Sequence, residues 1–186
     1  MPQRYKTIAK EILFYLAAAG AVALAATSPF AASLLIRRIF QRPTSAEKRR
    51  KFSQALWRLK RSRLIIMQEK ADGTFLVKLT EKGKRKTKEI QLENLTIPKQ
   101  KKWDGIWRIV IFDISVKKKI AREAFRNKIK ELGFYQLQKS VWVIPYPCEQ
   151  EIEFVVELFG LYSSVTMVEA QRIKHDVNLK KHFDLL

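Results

Sequence analysis

The chain has 186 residues, 47% of them apolar and 11% aromatic, which is enough to pack a core and excludes a disordered tail. Thirty-seven Lys and Arg stand against 18 Asp and Glu, a net charge of +19, and a compact chain with that much self-repulsion calls for a polyanionic partner. One cysteine, Cys148, and two histidines, His175 and His182, exclude an intrachain disulfide, a cysteine-rich zinc site and a histidine-rich metal centre, and they fit a reducing, cytoplasmic compartment.

The charge is unevenly placed. Residues 1–102 carry 24 basic and 7 acidic side chains, a net of +17, whereas residues 103–186 carry 13 and 11, a net of +2. Two domains with different tasks follow from that split.

From Ile12 to Ile36 no residue is charged. Preceded by Arg4, Lys6 and Lys10, this stretch imitates a signal peptide or membrane anchor. Gly20, Thr27, Ser28 and Pro29 break it near the middle, however, and Ile8, Ile12, Leu16, Ala19 and Ala23 recur at helical spacing. It therefore reads as two short core helices, the second over about 29–40, and no membrane partner is expected. Ser45 and Glu47 then mark the start of a third helix over about 46–62. At 100° per residue Phe52, Ala55, Leu56 and Leu59 fall on one side, and Arg50, Gln54, Trp57, Arg58 and Arg61 on the other. The outer face suits phosphates and base edges, since Arg presents a planar fork to guanine and Gln is bidentate to adenine.

Residues 64–67 and 74–79 read as strands joined through Asp72-Gly73, a strong hairpin signal, and a cationic helix begins near Thr80. Three helices and a β-hairpin make a winged helix-turn-helix over residues 1–90, with the third helix in the major groove. The residues expected on DNA are Arg50, Gln54, Arg58 and Arg61 in the groove, and Lys48, Arg49, Lys51, Lys60, Arg63 and Lys78 on phosphates.

Residues 91–102, with Pro98 and three lysines, read as a linker. Beyond it come a strand (106–114), a helix (118–132) closed by Gly133, two strands (134–137 and 140–144), a helix (149–159) and a last strand (164–170). That order, β-α-β-β-α-β, is ferredoxin-like, so the fold class is α+β, with this domain over 103–175 and a C-terminal extension over 176–186. A sheet with helices on one face only leaves an apolar face open, and a homodimer covers it while pairing two DNA-binding modules. Trp107 and Trp142 read as core or dimer interface, and Gln138 and Ser140 as residues that fix the backbone.

Trp103-Asp104-Gly105-Ile106-Trp107-Arg108-Ile109-Val110-Ile111-Phe112-Asp113-Ile114, then Arg122 and Arg126, then Leu132-Gly133-Phe134 and Leu137-Gln138-Lys139-Ser140-Val141-Trp142-Val143, resemble the central domain of PaaX-type transcriptional repressors. That domain is itself similar to the small, dimeric CRISPR-associated endonuclease Cas-two. The resemblance implies a transcriptional regulator that binds double-stranded DNA as a homodimer. PaaX repressors continue into a further C-terminal region, whereas this chain ends at Leu186, so an acyl-coenzyme A effector is not carried over and any effector is unknown. The alternative is a Mg²⁺-dependent endonuclease: the nuclease-like relatives place a metal-ligating Asp at the end of the first strand, one from each subunit of the dimer, the position of Asp113 here. The competing role for Asp113 is to cap the following loop or to pair with Arg122 or Arg126. The regulator requires no cofactor; the endonuclease would hold Mg²⁺ at Asp113.

Overall fold

The computed structural model describes residues 3–25, 46–71 and 74–186. The expected helix over 29–40, the cap at Ser45 and the Asp72-Gly73 turn lie outside these residues. The chain is a mixed α+β protein of two compact units, Met1–Glu93 and Asn94–Leu186.

In unit 1, helix α1 (Gln3–Ala19) is followed by strand β1 (Ala21–Ala25), helix α2 (Ala46–Arg61), strands β2 (Ile65–Glu69) and β3 (Thr74–Leu79), and helix α3 (Glu81–Glu93). The sheet order is β1-β3-β2, antiparallel throughout, with Ala21 opposite Lys78 and Ile65 opposite Leu79. Strand β1 corrects the sequence reading, which continued a helical stripe through Ala23. Gly20, at φ 71, ends α1 in a conformation that side chains resist. Ala21–Ala25 then pairs with the edge of β3, and tertiary pairing overrides the helical preference of alanine. Among the described residues no helix is long and apolar enough to cross a membrane.

The core of unit 1 forms where these elements converge: Ile12, Leu13 and Leu16 from α1, Phe52, Ala55, Leu56 and Leu59 from α2, Ile65 from β2, Val77 and Leu79 from β3, and Ile90 from α3. Each large side chain so buried contributes about 1.5–3 kcal/mol. The Thr80 hydroxyl caps α3 by accepting from Gly83 N–H at 2.9 Å, and it donates to Arg63 O at 2.7 Å, which ties α3 to the end of α2. Helix α3 runs to Glu93, so residues 91–93, expected in the linker, are helical.

Unit 2 contains β4 (Trp107–Phe112), α4 (Lys119–Glu131), β5 (Tyr135–Gln138), β6 (Val141–Ile144), α5 (Glu149–Phe159), β7 (Val165–Ala170) and α6 (Val177–His182). The antiparallel sheet has the order β5-β6-β4-β7. Along β4 the side chains alternate. Phe112 turns to the helices and meets Phe125 edge-on, centroids 5.3 Å apart, while Trp107, Ile109 and Ile111 face the other side.

That second face is only partly open. Asp176 accepts from Trp107 Nε1 at 3.3 Å, Phe183 packs 6.1 Å from the Trp107 ring, and His182 meets Tyr135 at 4.9 Å. The C-terminal residues 176–186 are therefore not an appended extension. Leu179 and Phe183 are buried, and α6 closes one end of the sheet face, leaving Trp107 wholly buried and Ile111 and Val168 about two-fifths exposed. Trp107 and Trp142 are thus core residues of one chain.

Candidate nucleic-acid interface

Helix α2 divides as its sequence dictates. Phe52, Ala55, Leu56 and Leu59 are buried, and Arg50, Gln54, Trp57, Arg58 and Arg61 are exposed. On a helical wheel the exposed five share an arc of about 100°, and Arg50 to Arg61 spans about 16 Å along the axis. Trp57 forms one edge of this arc, next to Arg50, and is 64% exposed. Lys60 folds back so that its ammonium stands 4.9 Å from the centre of the indole, a cation–π contact.

Helix α2 stops through two backbone bonds and a left-handed residue. Arg63 N–H donates to Lys60 O and Leu64 N–H to Leu59 O, both at 2.9 Å, and Arg63 sits at φ 57. This is a helix stop that ordinarily takes glycine, with Leu64 packed back against the core that Leu59 enters. An L-residue in that region costs about 1–2 kcal/mol. Arg63→Gly is expected to raise the stability of unit 1 by about 1 kcal/mol, since glycine's greater chain entropy returns part of the gain; the urea midpoint measures it.

The expected phosphate contacts divide by environment. Arg49, Lys60 and Arg63 are exposed at or beside α2. The side chain of Lys48 lies outside the described set. Lys51 is half-buried and bonded to Glu47 one turn earlier, an i, i+4 pair that the sequence already contained. Lys78 is half-buried and alternates with Val77 and Leu79, so it lies on the sheet face opposite the one that enters the core. Lys70, exposed immediately after β2, is a further cation of unit 1 outside the expected set. On α3, Lys84 and Lys86 are paired with Glu81 and Glu89.

Asp113 is exposed just beyond β4, and its backbone N–H donates to Ser164 O at 2.9 Å. The hydroxyl that caps the next turn is that of Ser115, which accepts from Lys117 N–H at 3.3 Å. Among the described residues no group of three or more His, Cys, Asp or Glu converges on a metal position. One exposed carboxylate does not by itself hold a Mg²⁺, so such a site would need the Asp113 of a second copy together with ordered waters or substrate phosphates. Cys148 is buried, and that burial, reinforced by Glu149 and Glu151, pushes its thiol up to about 12, which favours the protonated form.

Comparison with known proteins bears chiefly on unit 2. The chain is similar to an uncharacterized protein from Mycobacterium tuberculosis, with 17% identity and a TM-score of 0.38, covering 97% of this chain and 65% of that one. No curated protein matches it. Residues 100–181 match the family described as the PaaX protein central Cas2-like domain. That match takes in β4 through most of α6, including the segment that closes the sheet face, so unit 2 is similar to the central domain of that family.

Proposed function

We propose that the chain is a DNA-binding transcriptional regulator that acts as a homodimer, with unit 1 as a winged helix-turn-helix and unit 2 as a ferredoxin-like dimerisation domain. The observation that carries this reading is the exposed arc of α2. Three arginines, a glutamine and a tryptophan project from one face of a helix whose opposite face anchors the core. The element order of unit 1 supports it, because a helix followed by a hairpin, with the first strand paired to the last, is the winged-helix arrangement. The strand order of unit 2, second-third-first-fourth, supports the ferredoxin-like label. The part of the sheet face that α6 leaves uncovered, with Ile111 and Val168, supports a second copy as its cover. The similarity of residues 100–181 to the PaaX central domain supports a regulator-type role.

The test is titration of a labelled 30-base-pair duplex by fluorescence anisotropy between 50 and 200 mM salt. Affinity is expected to fall steeply with salt, with a log–log slope of about −0.9 per phosphate contact. Arg50→Ala together with Arg61→Ala is expected to weaken binding by about 10- to 100-fold, since a good base contact is worth about 1–3 kcal/mol. A protein that ignores every duplex at 50 mM salt is not a DNA-binding regulator. Light scattering tests the dimer: Ile111→Glu is expected to halve the mass, and a wild type already monomeric removes the homodimer from the proposal.

A further inference from the structure

We infer that Trp57 reads thymine: its indole packs on the 5-methyl group of a thymine in the major groove, and that apolar contact selects an A·T pair at one position of the site. The inference rests on the DNA-binding reading and deepens it. Trp107 and Trp142 are buried, whereas Trp57 is 64% exposed, on the face of α2 that plays no part in the core. Its neighbours on the arc, Arg50 and Arg61, lie about 20° and 40° to one side of it, so a surface that both guanidiniums approach lies beside the indole as well. Lys60 holds its ammonium 4.9 Å from the ring centre, which restrains the ring and places positive charge beside it.

The chemistry of the groove then narrows the choice. Arginine and glutamine on this arc satisfy guanine and adenine by paired hydrogen bonds, but indole has one donor and no acceptor and cannot make such a pair. The apolar feature that a base pair presents in the major groove is the thymine methyl group. An indole amid hydrogen-bonding side chains complements that group. Resting on deoxyribose instead, it would be indifferent to the base.

The experiment begins by retaining duplexes from a random-sequence pool on the purified full-length protein. One retained duplex is then resynthesised with deoxyuridine in place of each thymine in turn, which removes one methyl group and leaves every hydrogen-bonding edge intact. Wild type is expected to lose about four-fold in affinity at one or two positions, the equivalent of one buried methyl group. Trp57→Ala is expected to bind more weakly and to treat thymine and uracil at those positions alike, with an unchanged circular dichroism spectrum because the residue lies outside the core. A wild type that treats all uracil duplexes as it treats thymine overturns the assignment, and so does a Trp57→Ala protein that still distinguishes them. If no duplex is retained, the DNA-binding reading has failed and the assignment falls with it, a result distinct from retention without thymine preference.

Discussion

Gly83→Ala is expected to destabilise unit 1 strongly while leaving unit 2 unaffected. A Cβ at this position would lie 1.9 Å from the Leu64 carbonyl oxygen, a backbone atom with no rotamer to escape into. The close approach exists because α3 starts directly against the stop of α2. Thr80 bonds to both Arg63 O and Leu64 O, Thr80 N–H donates to Leu64 O at 3.0 Å, and Gly83 is the third residue of the helix so begun. Overpacking a soft side-chain neighbour costs about 1–3 kcal/mol. Here the helix itself has to move, so the cost is expected to be at least about 3 kcal/mol, a large part of the 5–15 kcal/mol typical of a domain. Urea unfolding of the full chain, with hydrogen exchange of α2 amides as the local readout, measures it. Arg85→Ala, two residues further along on the exposed side, is the control and is expected to stay within about 0.5 kcal/mol. Equal effects from the two substitutions would mean that the contact at Leu64 is not a constraint.

Legibility in the sequence followed the range of the interactions that set each feature. The arc of α2 could be read in full, because a 3.6-residue period decides which of Phe52, Leu59, Arg50 and Arg61 faces inward, and the structure keeps that division. The strands and helices of unit 2 were equally plain, since short apolar runs alternate with turn residues there. Strand β1 was not. Alanine prefers helix, and only the bare edge of β3 makes Ala21–Ala25 extended, a fact recorded some 50 residues away. Nor was the role of residues 176–186 visible: two buried side chains, Leu179 and Phe183, in a six-residue helix and its flank are too few to show a period.

The site residues obey the same rule. Which cations stand on the outer face of α2 is a local matter, whereas the position of Lys78 relative to α2 depends on which sheet face packs inward. The pairing of Lys51 with Glu47 is equally local, an i, i+4 spacing that a total of the segment's charge conceals. Trp57 was visible as an outward residue, but the fold of Lys60 over its ring was not.

The interaction least visible in the sequence underlies the last prediction: Asp104→Ala is expected to destabilise unit 2 more than Arg108→Met, although Asp104 is the more exposed partner. Arg108 is 5% exposed, and its guanidinium donates to both Asp104 oxygens, at 2.9 and 2.7 Å, and to the carbonyls of Ile106 and Pro145. Glu169 and Glu149 stand farther off, 3.4 and 3.8 Å from Nε. Removing Asp104 strands a buried cation that cannot shed its proton, a loss of about 3–5 kcal/mol where compensation is poor, and the lower end applies because Glu169 remains. Removing Arg108 instead leaves a carboxylate that water can reach and two carbonyls short of a donor. Methionine fills most of the volume, so a cost below about 2 kcal/mol is expected. The double variant is then no less stable than Arg108→Met alone, the signature of coupled residues.

Acid supplies the second arm of this test. The hydrogen bonds from Arg108 hold the Asp104 carboxyl below its ordinary range. A carboxyl depressed in the folded state contributes stability above its unfolded value of about 3.9, and that contribution is lost as pH falls through the folded value. Between about pH 5 and pH 2 the wild-type melting temperature is therefore expected to fall more steeply than that of Arg108→Met. With Trp57 replaced by Phe in both proteins, the remaining tryptophans all report on unit 2. Parallel melting curves across that range, or an Arg108→Met protein less stable than Asp104→Ala, would show that Asp104 does not neutralise the buried guanidinium.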